Sequence, residues 1–353
     1  MKVGIAGCGG IGLAYAAWLA SRGHTVTIWS PRGDTAAALR TGPLLASGVL
    51  EASCPVAVAD SAAQLAAGAE VLVVAVPVNG HRAVMNALLP HLASGQAVLV
   101  SSMASLSSLY LFEAARARGR DLTVMSLGTT VLTARRDGDH GVRIMTRRVE
   151  FGLSVLPVAR QADALDTCAA LFGDGFVAEA NPLASTLSNI NPVAHGPLAI
   201  FNWTRIERAE SWPQYHYMTP KVAAVIERLD AERIALARAF GLRVRSLETH
   251  FAKSFSTTAD TLAGIAAELH AKRGGPPGPT DIDTRFLAED VPYGLVFSLA
   301  LARLAHVDMP ATRSVIECAS LIAGCDFMAG NEFVAALRLE CETFAGLAGR
   351  VAA

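Results

Sequence analysis

Lysine is nearly missing from this chain. Of 353 residues only Lys2, Lys221, Lys253 and Lys272 are lysines, so 26 of the 30 basic residues are arginines. Any mechanism that needs a lysine between residues 3 and 220 is excluded. Charge of either sign is also scarce, at 17% of residues against roughly 25% in ordinary domains. Thirty basic and 31 acidic residues leave a net charge of −1, so a phosphate-backbone binder has no global electrostatic support and no nucleic-acid partner is expected. The six cysteines form no Cys-x-x-Cys pair and no zinc-ligand spacing, which points to scattered reduced thiols and no metal. No uncharged apolar run approaches the ~20 residues of a membrane span; the longest strand-like run is Val71–Val78. Ile5-Ala6-Gly7-Cys8 has the look of a lipoprotein cleavage box, yet too few residues precede Cys8 for a signal sequence. A cytoplasmic protein with no membrane partner is the expectation.

What is abundant is apolar. Hydrophobic residues make up 52% of the chain, enough to exclude disorder, and the length favours two domains. In the first half, runs with strand character (Val3–Ala6, Thr25–Trp29, Val71–Val76, Ala97–Ser101, Leu122–Ser126) alternate with helical patterns near Ser61–Ala67, His81–Leu89 and Leu109–Ala117. That alternation predicts an α/β, Rossmann-type doubly wound sheet. From about residue 181 the strand runs vanish. Val222–Phe240 reads as a long helix closed by Gly241, and Pro292 sits in the first turn of a helix reaching about His306. The expected organisation is an α/β domain over 1–180 and an all-helical domain over 181–353. The Ala- and Leu-rich C-terminal helices are apolar enough to bury a homodimer face.

The first strand runs into Gly7-Cys8-Gly9-Gly10-Ile11-Gly12. In a Gly-x-Gly-x-x-Gly turn the glycines permit a tight bend, close approach of backbone to a pyrophosphate, and close helix–strand contact. The phosphates then meet the unpaired N–H groups at a helix start. Gly7, Gly9, Gly10, Ile11 and Gly12 are therefore candidate dinucleotide-binding residues. An acid at the end of the second strand would read the ribose of NAD, whereas an arginine suits the 2′-phosphate of NADP. Here that strand ends at Ser30-Pro31-Arg32. Ser30 and Arg32 accordingly favour NADP(H) over NAD(H).

Three stretches stand out in the helical half: Leu187–Pro197, containing Asn189, Asn191 and His195; Asp230-Ala231-Glu232-Arg233; and Thr284–Leu295, containing Arg285, Asp290 and the run Val291-Pro292-Tyr293-Gly294-Leu295. With the N-terminal glycine turn, the Asn-x-Asn-x-x-x-His segment and the Arg-x-x-x-x-Asp-Val-Pro-Tyr-Gly-Leu segment, in that order over the whole chain, the sequence resembles the octopine/nopaline (opine) dehydrogenase family. The resemblance implies a reductive condensation of an amino acid's amine with a 2-oxo acid, and small anionic substrates. It also implies His195 as the catalytic histidine, Asp290 as its carboxylate partner and Arg285 as a substrate-carboxylate binder. The residue types suit that chemistry. Histidine titrates near neutrality, a carboxylate on its second nitrogen fixes the tautomer, and arginine is a permanent cation. The amides of Asn189 and Asn191 are candidates for orienting substrate.

Plainer roles exist for the same residues. Asp290 occupies an N-cap position, Arg285 and Glu289 are spaced to pair on a helix, and His195 suits a buried, hydrogen-bonded core position. Thr129, Thr130, Arg135 and His216 are further, weaker candidates. Two other functions compete. A 2-dehydropantoate reductase-like enzyme suits the glycine turn and Arg32 but looks to a lysine near the domain junction. A non-catalytic NADP-binding protein would keep the glycine turn and lose the second constellation.

Overall fold

Short runs of branched apolar residues form strands here because both of their faces are covered, as in Val71–Val74, where all four residues are buried. The computed structural model describes residues 1–255 and 257–353, with all of their side chains except those of Asp34, Lys253, Ser254, Phe255 and Arg273. The chain divides into two units, Met1–Thr186 with Gly349–Ala353, and Leu187–Ala348. The C-terminal residues are tied into the first unit by Arg350, which grips Glu113 through two hydrogen bonds of 2.7 Å.

The first unit holds strands β1 (Lys2–Ala6), β2 (Thr25–Trp29), β3 (Leu44–Gly48), β4 (Ala52–Cys54), β5 (Ala57–Val58), β6 (Val71–Val74), β7 (Ala97–Val100), β8 (Thr123–Leu127), β9 (Leu132–Asp137), β10 (Gly141–Arg147), β11 (Phe151–Leu156) and β12 (Phe176–Ala178). Its helices are α1 (Gly10–Ser21), α2 (Ala62–Gly68), α3 (His81–Leu88), α4 (Ser107–Arg116) and α5 (Gln161–Phe172), and α6 (Pro182–Ser188) carries the chain onward. Eight strands form one sheet in the order β12-β11-β8-β7-β6-β1-β2-β5. It is parallel apart from the β8–β11 pair. Strand order reverses about β1, with β2 on one side and β6 on the other. The crevice at the carboxyl ends of β1 and β6 is thus the place where such sheets bind ligands.

A second sheet, β4-β3-β10-β9, departs from the expectation, since the sequence reading assigned no strand to these segments. The reason lies in α1. Its sequence GIGLAYAAWLAS is apolar on every side and seven of its twelve residues are buried, so it needs cover on more than one face. The second sheet supplies it, bringing β9 backbone against Gly10. These strands face solvent on one side, where the directly paired Arg135 and Arg143 stand, and such residues interrupt the apolar pattern and hide the strand signal.

The second unit is helical: α7 (Asn191–Ile200), α8 (Trp203–Glu207), α9 (Pro220–Ala239), α10 (Leu247–Phe255), α11 (Leu262–Arg273), α12 (Arg285–Ala288), α13 (Phe297–Ala305), α14 (Pro310–Ala323), α15 (Glu332–Ala336) and α16 (Phe344–Val351), the last of which ends in the first unit. Gly241 follows α9 with φ +72, as expected for a residue just past a helix end. The helix expected from Pro292 to about His306 proves to be two pieces. Val291–Val296 is a π-helical turn, and α13 then runs to Ala305 with His306 left-handed. Trp212, Ile226, Leu229, Leu287, Val291 and Ile316 lie in this unit's core. Among the described residues no helix is long and apolar enough to cross a membrane.

Candidate active site

The glycine turn has a separate reason for each of its glycines. Gly7 lies at φ +132, and a Cβ there would come within 2.3 Å of the Ala75 carbonyl oxygen. A Cβ on Gly12 would stand 2.0 Å from the Gly7 carbonyl oxygen, so this glycine lets α1 start hard against the turn. Gly10 is packed by β9, with Ala134 O 3.0 Å from its Cβ position. Gly9 is different: nothing lies within 4 Å of a Cβ built there. Space is therefore open where the α1 N–H groups begin, and no side chain caps that helix. A backbone turn with open space before an uncapped helix start fits the pyrophosphate of a dinucleotide.

At the end of β2, Ser30 is buried and its Oγ lies 2.8 Å from Thr35 Oγ1. Arg32 is exposed, and no carboxylate among the described residues holds it. Sequence reasoning missed Arg136. Its guanidinium donates to the carbonyls of Thr35 (3.1 Å) and Cys8 (3.5 Å), fastening the loop after β2 to the glycine turn. The Cys8 thiol is pushed up to about 12 by burial, which leaves it an inert packing group. Arg135 is exposed on β9, beside Gly10. Thr129 and Thr130 are half-buried ahead of β9.

In the helical unit two distant stretches meet. His195 Nδ1 lies 2.8 Å from Asp290 Oδ2, across 95 positions of sequence. Just ahead of α7, Asn189 Oδ1 accepts from the Asn191 N–H at 3.0 Å and so satisfies the first N–H of the helix. Asn191 is half-buried at the start of the helix. On the other stretch Thr284 Oγ1 accepts from the Phe286 N–H and sets α12. The π-helical turn follows, and the two stretches fit because residue 294 is glycine: a Cβ there would lie 2.2 Å from Pro192 Cγ. Asn331 Nδ2 donates to the Pro292 carbonyl at 2.8 Å, securing the turn from a third segment. π-turns of this kind recur at functional sites.

The expectation that Asp290 caps a helix is corrected by this geometry. Its backbone is already helical and its side chain caps nothing, because the carboxylate is committed to His195. The imidazole is also held from one face by Phe286, ring centroids 3.8 Å apart and planes 1° from parallel. Side-chain exposure is 18% for His195 and 7% for Asp290. A buried carboxylate can only accept from Nδ1–H, so Nε2 is the nitrogen left for chemistry, and no hydrogen bond among the described residues occupies it. Arg285 adjoins Phe286 and is exposed, with no carboxylate engaging it among the described residues.

The Asp230–Arg233 stretch is structural. Arg233 is buried, donating to Asp230 Oδ1 (2.8 Å) and to the carbonyls of Leu187 and Arg245. Glu232 accepts from the N–H groups of Ala311 and Thr312, both at 2.9 Å, and caps α14. His216 is exposed, its ring 4.7 Å from that of His270.

Comparison with known proteins agrees with this division. Residues 178–323 match the family model described as NAD/NADP octopine/nopaline dehydrogenase, alpha-helical domain, and residues 3–153 match that of ketopantoate reductase PanE/ApbA. An opine dehydrogenase of Arthrobacter sp. (strain 1C) is 28% identical over 360 residues, covering 98% of each chain. Among solved structures, octopine dehydrogenase with NADH and L-arginine superposes with a TM-score of 0.82 at 18% identity, covering 100% of this chain and 98% of that one. Yersinopine dehydrogenase with NADP+ bound gives 0.77 at 18% identity, over 96% and 97%.

Proposed function

We propose that this chain, whose residues 178–323 match the octopine/nopaline dehydrogenase model, is an enzyme of that kind and catalyses the NAD(P)H-dependent reductive condensation of an amino acid with a 2-oxo acid. The observation that carries the reading is the His195 Nδ1–Asp290 Oδ2 hydrogen bond. It joins a buried carboxylate to an imidazole whose other nitrogen is available.

The chemistry asks for one proton manager and fixed cations. Amine and 2-oxo acid form a C–N bond and expel the carbonyl oxygen as water. That step needs a proton delivered to the departing oxygen, and His195 Nε2 is the group that holds and returns it. Asp290 keeps the imidazole in the Nδ1–H tautomer and stabilises its protonated form. Arg285 is assigned to a substrate carboxylate, which its planar fork can bind through two parallel hydrogen bonds. Asn191 is assigned to substrate orientation; Asn189 retains only its amide N–H₂ for such a role, its oxygen being used at the helix start. Gly7, Gly9, Gly10, Ile11, Gly12, Ser30 and Arg32 would hold a nicotinamide dinucleotide, which when bound would supply the hydride. The balance is one amine, one 2-oxo acid, one NAD(P)H and one proton giving a secondary amine, NAD(P)+ and water. We assign NADP(H) as the preferred cofactor, on the exposed guanidinium of Arg32 at the end of β2 and the lack of an acid there.

A second reading, reduction of a 2-oxo acid to its hydroxy acid, is favoured by the ketopantoate reductase match of the first unit. It is disfavoured by the empty stretch of lysine between residues 3 and 220. NADPH oxidation followed with pyruvate or 2-oxoglutarate, with and without a panel of amino acids, separates the two. Turnover that requires the amine is the expected result. Turnover with the oxo acid alone transfers the protein to the second reading.

A further inference from the structure

The loops that follow β6 and β7 are built at a cost that packing alone does not explain. Between β7 and α4, Ser102, Ser105 and Leu106 all have left-handed backbones, with φ of 55, 53 and 50. None is glycine, and such residues persist only where the surroundings over-determine them, often beside ligands. Two buried polar contacts do the determining. At the loop's start Ser101 Oγ lies 2.7 Å from the hydroxyl of Tyr15, which also accepts from the Val131 N–H at 2.9 Å. At its far end Ser107 Oγ lies 2.9 Å from His81 Nδ1.

His81 is fully buried, and its other nitrogen, Nε2, lies 3.1 Å from the Val76 carbonyl oxygen. Burial pushes its pKa down to about 4, so the ring is neutral near pH 7. A carbonyl can only accept, which makes Nε2 the donor and leaves Nδ1 to accept from the Ser107 hydroxyl. One imidazole thereby clamps the loop after β6 to the first turn of α4. An apolar side chain would fill the same space; only a group with a donor at one end and an acceptor at the other makes both bonds.

The clamped segments adjoin the dinucleotide turn. Ala75 O and Val76 Cγ1 stand 2.3 and 3.0 Å from the Cβ position of Gly7. Sheet order assigns their role. The loop after β2, with Ser30 and Arg32, lies on one side of β1, and β6 and β7 lie on the other. A dinucleotide whose pyrophosphate meets α1 and whose adenosine ribose is read beyond β2 must extend its other half over β6 and β7.

We propose that His81 is a positioning residue for the nicotinamide end of the cofactor. By bridging Val76 O and Ser107 Oγ it holds the loops over 75–80 and 101–106 as the surface on which that end rests. The inference rests on the dinucleotide reading above and adds a residue and a subsite to it.

The test compares NADPH with 2′,5′-ADP, which is the adenosine half alone, as ligands of the wild-type chain and of His81→Phe. The expected result is a rise of at least tenfold in the Kd for NADPH, with the Kd for 2′,5′-ADP unchanged within twofold. His81→Gln retains the donor to Val76 and is expected to fall between the two. Equal weakening of both ligands means that His81 merely supports the fold, and no weakening of either means that the clamp is irrelevant to the cofactor; both overturn the proposal. Wild-type chain that binds neither ligand would instead overturn the dinucleotide reading itself. Should His81→Phe fail to fold by circular dichroism, Ser107→Ala removes a single bond of the clamp. It is expected to give the same selective loss, about threefold, and its absence also overturns the proposal.

Discussion

Two histidines, one in each unit, are held by hydrogen bonds to opposite ends. In the first unit His81 is fully buried and bonded at both ring nitrogens, to Val76 O and Ser107 Oγ. In the helical unit His195 is bonded at Nδ1 only, stacked on Phe286 and partly exposed. Buried-polar accounting distinguishes them. An imidazole with both nitrogens satisfied inside the core has nothing left to give a reactant and serves geometry. One whose orientation is fixed by a carboxylate and a ring, with its second nitrogen unclaimed, retains a proton site while losing its freedom to rotate. The histidine of the first unit thus ties two segments together beside the glycine turn, and that of the second leaves a nitrogen for the proton handling proposed above.

The largest expected effect breaks this contrast from the helical side. His195→Ala is expected to lower kcat/KM about 10³-fold, within the range of acid–base contributions, with the Kd for NADPH unchanged within twofold. Steady-state kinetics beside a cofactor titration measures both. Parallel loss of cofactor binding would place His195 in the same structural class as His81.

Next comes the acid response of His81. Its folded pKa, about 4, lies below the 6.5 of an ordinary histidine, so between those pH values the unfolded chain binds a proton that the folded chain refuses. Stability from this group is therefore intact above about pH 6.5 and is lost as pH falls towards 4. The loss is about 3 kcal/mol in total. Urea unfolding of the full chain from pH 7 to 4 is expected to show that slope in wild type and to lack it in His81→Phe. Equal slopes would mean that the ring is protonated without penalty. Slightly smaller is the effect of Asp290→Asn, about 10²-fold in kcat, because the neutral amide still holds the ring in place but no longer stabilises the imidazolium. It is measured in the same assay, with KM for cofactor expected to stay constant.

These two histidines were not equally legible in the sequence. His195 and Asp290 sit in short motifs whose residue types announce chemistry, and the strand–turn–helix around Gly7–Gly12 is local enough to read directly. The pairing of His195 with Asp290 spans 95 positions and was reached through family resemblance; only the structure shows that Pro192 seated on Gly294 brings them together. Nothing local marks His81, because its partners Val76 and Ser107 lie in separate segments, a loop and the first turn of α4, and its meaning is set by tertiary burial. The second sheet was hidden for a related reason. A strand with one wet face alternates and carries arginines, and its purpose, covering the back of an all-apolar α1, becomes visible only when the helix is seen to need it. Phe286 stood inside a recognised motif, yet its stack on His195 depends on the register between α12 and α7.

The smallest effect tests the binding unit without touching proton handling. Arg32 is exposed at the end of β2, and its proposed partner is the 2′-phosphate of NADP. An exposed guanidinium works against solvent screening, so its contribution is modest. Arg32→Ala is expected to raise the Kd for NADPH about tenfold, or about 1.4 kcal/mol, and to leave NADH within twofold. The difference is expected to shrink as salt rises, as it must for a charge pair in water, whereas losses caused by a displaced loop would persist at any ionic strength. At saturating NADPH the kcat of the variant is expected to equal that of wild type, because nothing in the His195–Asp290 pair has changed. Should the variant weaken NADH as much as NADPH, Arg32 supports the loop and does not read the phosphate. Discrimination would then fall to the Ser30 end of β2 and to Arg136, which anchors the same loop through the Thr35 carbonyl.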